Sequence, residues 1–273
     1  MRNVRIEVAY DGARFFGWQR QDGFASVQQA LEEALASFVG QAVTVHGAGR
    51  TDTGVHALRQ IAHFHVESRL DDEHLCRALN ANLCAGVLVR RLETCASAFH
   101  SRFDALSKRY LYVTATGPFR PPFGRAHCHW TPYALDVARM RSAARQLIGT
   151  HDFRAFGNTG SPRASTVRRI LGVRFLVRRE RIAVVVQGDG FLYNMVRTIA
   201  GTLLDIGRGR LGADVIGSAL ASGDRASLGP TAPPEGLYLV SVQYAEALFP
   251  AHASRARTTR ARSAKESRIA DEP

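Results

Sequence analysis

The sequence predicts an α+β fold of two ferredoxin-like lobes, whose sheets meet at a central cleft with helices packed outside. Strands are indicated by apolar and polar residues that alternate, as in residues 4–10. Helices are indicated by apolar residues at helical spacing, as in residues 26–39. The resulting order of elements is β-α-β-β-α-β, and it recurs in the second half of the chain. The repeated order predicts two lobes, although no sequence repeat is detectable.

The first lobe is predicted to span residues 1–105. Its predicted strands are residues 4–10, 42–46, 60–66 and 87–94. Its predicted helices are residues 26–39, ended by Gly40, and a second one that begins at Asp71 or Asp72 and carries Leu75, Leu79 and Leu83.

The second lobe is predicted to span residues 106–249. Its predicted strands are 108–116, 167–177, 181–187 and 237–244, and its predicted helices are 135–148, 194–206 and 215–221. Residues 250–273 have six basic and three acidic side chains and no apolar periodicity. They predict a basic, disordered tail.

The composition points towards a polyanionic partner. The chain has 273 residues and a formal net charge of +12, and all its basic residues except Lys108 and Lys265 are arginine. A hydrophobic content of 45% excludes wholesale disorder. Charge alone leaves two readings open, nucleic-acid binding and a well-solvated arginine-rich surface.

The compartment is predicted from what the chain does not contain. No apolar run reaches the length of a membrane span, and the first residues lack a signal-peptide pattern. The four cysteines form no CxxC pair, which argues against a zinc ribbon. We therefore expect a cytoplasmic protein with free thiols and no membrane partner.

The most informative segment is the predicted loop of residues 47–57, which holds three glycines around Arg50, Thr51 and Asp52. On composition alone it fits a surface turn with an Arg–Asp pair. It lacks the ending of a phosphate-binding P-loop, and no second carboxylate lies nearby in sequence for a glycosidase pair.

Seven ordered blocks, with this loop among them, resemble the tRNA pseudouridine synthase A (TruA) family. Residues 49–57 are similar to its active-site motif, and residues 10–28 to its N-terminal signature. The other blocks are residues 99–103, 108–112, 151–153, 189–197 and 232–239. Thr53 departs from the alanine usual in the family, and the tail lies outside the resemblance.

The resemblance implies an isomerase that converts uridine to pseudouridine at positions 38, 39 and 40 in the anticodon stem-loop of tRNA. The N1–C1′ bond breaks, the uracil turns, and a C5–C1′ bond forms, so no cofactor and no metal is required. It also implies a homodimer that binds tRNA. Two alternatives remain: a pseudouridine synthase with a different RNA target, and a non-catalytic RNA-binding module.

The resemblance also implies roles for five residues. Asp52 is the nucleophile, by attack on the base, by attack on the sugar, or by assisting deprotonation of C2′. Arg197 is its partner and keeps the carboxylate ionised. Tyr110 stacks on the extruded base and accepts a proton late in the reaction. Arg50 holds a phosphate or fills the space of the flipped nucleotide, and Leu237 packs against the base.

The histidines raise the separate question of a metal. His63 and His65 would share one face of a strand, and His127 and His129 flank Cys128. Such spacing suits zinc, but no carboxylate or cysteine completes a recognisable set. We expect no metal site.

Overall fold

The computed structural model describes residues 1–158 and 165–249. Within these ranges the protein is a mixed α+β fold with ten strands and five α-helices. The strands are β1 (Arg2–Tyr10), β2 (His46–Gly47), β3 (His56–Val66), β4 (Val87–Cys95), β5 (Ser107–Thr116), β6 (His129–Thr131), β7 (Gly149–Asp152), β8 (Val167–Arg178), β9 (Arg181–Gly188) and β10 (Leu237–Gln243). The helices are α1 (Val27–Val39), α2 (Asp72–Asn82), α3 (Val137–Ala144), α4 (Met195–Gly207) and α5 (Val215–Ser222).

All ten strands belong to one sheet. Its order is β4-β1-β3-β10-β5-β9-β8-β7, with β2 beside β3 and β6 beside β5. The two halves of the chain are joined where β10 runs parallel to β3, with Tyr238 opposite His56 and Leu239 opposite Ala57. On its other side β10 pairs antiparallel with β5. This junction at the centre of the sheet places the loop before β3 next to β5 and β10.

Helix α1 begins and ends where local chemistry requires it. The Ser26 side chain accepts a hydrogen bond from the Gln29 amide, which satisfies one of the free donors of the first turn. Gly40 ends the helix at a φ of 70°, a left-handed conformation that suits glycine. Val27, Leu31 and Leu35 are fully buried on the inner face.

The strand predicted at residues 42–46 is mostly absent, because only His46–Gly47 pairs with a neighbour. The predicted alternation is present, since Val43 and Val45 are buried. The backbone is satisfied in another way: the Val45 amide donates to the buried carboxylate of Glu32 at 3.0 Å. A side-chain carboxylate therefore takes the place of the backbone hydrogen bonds to a neighbouring strand that would have made this segment a strand.

The second half differs from the prediction in its short elements. The helix predicted over residues 135–148 is α3 followed by one 3-10 turn, Arg145–Leu147. Asp136 starts α3 by accepting from the Arg139 amide, so the helix begins later than its apolar residues suggested. Strands β6 and β7 were not predicted. The β8–β9 hairpin and α4 agree with the prediction within a residue or two.

One continuous apolar core runs through both halves of the sheet. Helix α4 is buried along most of its length, and α3 packs against it. None of the helices in residues 1–158 and 165–249 is both long and apolar enough to cross a membrane. The tail predicted for residues 250–273 lies outside the described residues.

Candidate active site

A cleft of about 750 Å³ opens beside the β3–β10 junction. Five residues that are far apart in sequence line it: Arg50, Asp52, Tyr110, Arg197 and Leu237. These are the five residues singled out from the sequence. Asp52 and Arg50 lie on the loop before β3, Tyr110 on β5, Leu237 at the start of β10, and Arg197 in the first turn of α4.

The Asp52 carboxylate forms an ion pair across the cleft. Its Oδ2 accepts a hydrogen bond from Nη1 of Arg197 at 3.3 Å. The side chains of Asp52 and Arg197 are 23% and 16% exposed, so the pair is largely withdrawn from water yet open on the cleft side. A charge pair in this setting is screened little by salt.

Arg197 is held by two further contacts. Its Nε donates to the Ala232 carbonyl at 2.7 Å, and its Nη1 also donates to Oδ1 of Asn194 at 2.9 Å. Asn194 precedes α4 with a φ of 62°, a left-handed conformation that asparagine tolerates better than most residues. These two contacts hold the guanidinium in a fixed orientation beside Asp52.

Burial and the Arg197 guanidinium shift the pKa of Asp52 in opposite directions. Desolvation raises the pKa of Asp52 above its usual value, and the charge and hydrogen bond of Arg197 oppose that rise. The carboxylate is therefore less hydrated than a surface aspartate, while its cation favours the ionised form. A poorly hydrated carboxylate in reach of a substrate suits nucleophilic or basic chemistry.

Tyr110 forms a buried aromatic wall of the cleft. Its ring meets Phe191 edge to face at a centroid distance of 5.2 Å. Burial, the neighbouring Tyr10 and the negative charge of Asp52 all raise the pKa of Tyr110. The hydroxyl is thus held protonated, so it accepts a proton only when it passes its own proton on.

Leu237 and Arg50 occupy contrasting positions in the cleft. Leu237 is buried and lies opposite Tyr112 in the sheet, so it offers a fixed apolar surface. Arg50 is exposed at the opening of the cleft. Thr53, the residue beside Asp52, is also exposed.

The loop that carries Asp52 is braced by the segment after β1, a contact that the sequence analysis did not identify. The Trp18 amide donates to the Thr51 carbonyl at 3.0 Å. Gly17 has a φ of 88°, and a Cβ there would lie 2.6 Å from the Thr51 oxygen. At Gly12 an added Cβ would lie 2.1 Å from the Val55 oxygen. The glycines of the N-terminal signature were the available signal, because they permit this close backbone approach.

A buried polar network fixes the middle of the same loop. Oγ1 of Thr51 lies 2.8 Å from the Tyr10 hydroxyl. Nε2 of Gln60 donates to the Gly49 carbonyl at 2.7 Å. Tyr10, Thr51 and Gln60 are all buried, so these bonds are shielded from competition with water.

Within the described residues, one group has the ligand types and spacing of a metal site: Asp11, His56 and His127. Oδ1 of Asp11 lies 3.2 Å from Nδ1 of His56 and 3.3 Å from Nε2 of His127. The Nδ1 of His56 already accepts from the Gly12 amide, and the two imidazoles stack with planes 25° apart. Lone pairs in nearly parallel planes do not converge on one ion, so this group is a poor chelate.

The family model described as tRNA pseudouridine synthase matches residues 6–104 and 143–245. The chain belongs to the tRNA pseudouridine synthase family. The resemblance found from the sequence is therefore confirmed at the level of the family. The matched ranges include Arg50, Asp52, Arg197 and Leu237, while Tyr110 lies between them.

Several proteins named tRNA pseudouridine synthase A are similar in sequence to most of this chain. The protein of Thermoanaerobacter sp. (strain X514) is 41% identical over 244 residues, which cover 89% of this chain and 100% of the relative. That of Neisseria meningitidis serogroup B (strain MC58) is 39% identical over 243 residues, covering 89% and 92% of the two chains.

One solved structure similar to this chain is more distant in sequence. A crystal structure of a Cbf5-Nop10-Gar1 complex covers 74% of this chain and 45% of that one, at 10% identity and a TM-score of 0.34. Similarity at that level supports no conclusion about the site.

Proposed function

We propose that this chain is an isomerase that converts uridine to pseudouridine at positions 38, 39 and 40 of the anticodon stem-loop of tRNA. The observation that carries the proposal is the Asp52–Arg197 pair inside the cleft. Asp52 is the only acidic residue that lines this cleft within the described residues, so one carboxylate is available for the chemistry. The names of its relatives support tRNA as the substrate.

The proposed reaction needs an ionised carboxylate and no other reagent. The N1–C1′ bond breaks, the uracil turns within the cleft, C5 bonds to C1′, and the C5 proton moves to solvent while N1 gains one. Asp52 acts by attack on the base or the sugar, or by assisting loss of the C2′ proton. Each route requires the negative charge that Arg197 favours.

The other cleft residues are proposed to handle the base. A uridine in or beside a stem must leave the stack before its glycosidic bond is reached. Tyr110 offers a ring for stacking, and Leu237 offers an apolar surface against the turned uracil. Arg50, exposed at the opening, is placed to hold a phosphate or to fill the vacated position.

The activity is tested by tritium release from tRNA labelled at uridine C5. We expect release with the purified wild type, because C5 exchanges its hydrogen for the bond to C1′. Asp52→Asn is expected to lower the rate by at least about a thousandfold. Asp22→Asn, an exposed aspartate outside the cleft, serves as the matched control and is expected to be unchanged. Equal release by wild type and Asp52→Asn would exclude Asp52 as the nucleophile.

We also propose a division into two ferredoxin-like lobes, residues 1–105 and 106–249. The strand order supports this division. The first half has the strand order β4-β1-β3-β2, with β1 and β3 as its central pair. The second half has the order β10-β5-β9-β8, with β5 and β9 as its central pair. The two halves thus have the same relative order of strands around their central pair.

The assembly and location are proposed as a homodimer in the cytoplasm, where its tRNA substrate is found. A dimer would extend the basic surface along an RNA stem. Light scattering is expected to give a mass of about 60 kDa for two chains. A single species at the chain mass of 29.9 kDa would exclude the dimer.

A further inference from the structure

A lysine that none of the proposed roles uses also lines the cleft. Lys108 lies on β5 two residues before Tyr110, and alternate residues of a strand share a face. Its side chain and the Tyr110 ring therefore lie side by side, about 7 Å apart along the strand. It is also the only lysine among the described residues of a chain whose other cations there are arginine.

Lys108 packs against the loop that carries Asp52. A Cβ added at Gly49 would lie 3.3 Å from Cε of Lys108 and 3.5 Å from its Nζ. The ammonium group therefore sits beside the backbone of that loop, between it and β5. Burial, and to a lesser extent the nearby charges of Arg102 and Arg168, lower the pKa of Lys108 to about 8.

No carboxylate in residues 1–158 or 165–249 forms a salt bridge with Lys108. The same holds there for Arg50 and Arg102, which line the cleft with it, whereas Asp52 is already paired with Arg197. A buried cation without a counter-charge is unfavourable. Lys108 is partly buried, whereas Arg50 and Arg102 are exposed. Three cations without a carboxylate partner around one cleft are expected where an anionic ligand supplies the missing charge.

We propose that Lys108 binds a backbone phosphate of the RNA next to the uridine that stacks on Tyr110. The inference rests on the proposed function and adds to it a specific phosphate ligand inside the cleft. A nucleotide presents its base and its phosphate at opposite ends of one unit, and β5 offers a ring and a cation as neighbours on one face. Arg50 and Arg102 are placed to contact adjoining phosphates.

The competing role for Lys108 is proton transfer to the substrate. The two roles predict different results when arginine replaces Lys108. Arginine keeps the positive charge but does not lose a proton near neutral pH, so it supports phosphate binding and not proton transfer. The substitution Lys108→Arg therefore separates the two roles, while Lys108→Met removes the charge and keeps much of the length.

The experiment measures tRNA binding and tritium release for wild type, Lys108→Met and Lys108→Arg. The matched control is Arg90→Met, an exposed arginine on the outer strand β4. We expect Lys108→Met to raise KM about tenfold, with kcat within about threefold of wild type. The slope of log binding constant against log salt should become shallower by about 0.7–0.9, the loss of one phosphate contact. Lys108→Arg and Arg90→Met should keep the wild-type slope and KM.

Two results would overturn the proposal. One is a salt slope for Lys108→Met equal to that of wild type. The other is a kcat that falls far more than threefold, and to the same extent, in both Lys108→Met and Lys108→Arg, which would assign proton transfer instead. If Lys108→Met lowers the melting temperature, Lys108→Gln replaces it as the neutral variant. An inactive wild type would refute the proposed function, whereas an active wild type with an unchanged slope would refute the role of Lys108 alone.

Discussion

The two walls of the cleft are built in different ways. One wall is a loop, residues 48–55, which carries Arg50 and Asp52 and is held by backbone contacts from the segment after β1. The other wall consists of β5, β10 and α4, where Tyr110, Leu237 and Arg197 are placed by regular secondary structure. The nucleophile proposed here thus belongs to the irregular wall, and the surface proposed for the base belongs to the regular one.

The difference shows where each wall gains its rigidity. On the regular wall, the strand pairing and the apolar core fix each side chain. On the loop wall, the same result depends on Gly12 and Gly17, which let one backbone touch another, and on the buried network around Thr51. A change on the loop wall should therefore displace the chemistry, and a change on the regular wall should remove a specific contact.

Apart from the loss of Asp52 itself, the largest effect is expected at Tyr110, on the regular wall. Tyr110→Phe keeps the ring and removes the hydroxyl, so it should leave tRNA affinity unchanged and lower kcat about a hundredfold. Tyr110→Ala should also weaken binding by about 1–3 kcal/mol, because stacking is lost. Single-turnover tritium release and filter binding separate the two effects. A phenylalanine variant with wild-type kcat would leave Tyr110 a stacking role only.

A comparable disturbance of the loop wall is expected from Gly17→Ala. The new Cβ would meet the Thr51 carbonyl, and the shift of Asp52 should lower kcat by up to about a hundredfold. Gly23→Ala is the matched control, because Gly23 has a similar φ of 80° and nothing within 4 Å of the added Cβ. Both variants should lose stability in thermal unfolding because both strain a positive φ, and Gly17→Ala should lose more because of the added clash. Equal kcat values for the two would show that the brace does not position Asp52.

A smaller and pH-dependent effect is expected from Arg197→Met, which removes the link between the walls. Without the cation, the pKa of Asp52 should rise by about 1–3 units. Since the ionised form is active, the acid limb of kcat/KM should move to higher pH, with activity recovered as pH rises. Arg208→Met, which leaves the cleft intact, should keep the wild-type limb. An unshifted limb for Arg197→Met would contradict the pairing.

The smallest effect is expected from Thr53→Ala beside the nucleophile. Thr53 is exposed on the loop wall, so the change removes no buried contact. The value of kcat/KM should stay within about twofold of wild type, within the range of ordinary surface substitutions. A larger change in the tritium assay would show that the departure from the family's alanine alters the reaction.

The sequence predicted the regular elements and the loop more readily than the contacts between them. Periodicity predicted α1, α4 and the β8–β9 hairpin, because each depends on its own residues. It failed at residues 42–46, where the Glu32 carboxylate, remote in sequence, takes the Val45 amide. The periodicity of neighbouring residues does not indicate such a partner.

The site residues likewise divide into those that local sequence marks and those that depend on contacts between distant segments. Arg50 and Asp52 are two residues apart, so one motif marks both. Arg197 is 145 residues from Asp52 and was associated with it only through the resemblance to a family. Lys108 had a usable signal, its place two residues before Tyr110 on one strand face. The contact of Gly17 with Thr51 had only the glycines of the N-terminal signature as a signal, because a backbone approach leaves no periodic pattern.

Mapping pseudouridine in tRNA treated with the purified protein tests most directly whether the two walls together modify uridines of the anticodon stem-loop. We expect conversion at positions 38, 39 and 40 by wild type and none by Asp52→Asn. Conversion at other positions would assign a different RNA target, and bound tRNA with no pseudouridine from wild type would contradict the proposed isomerase activity.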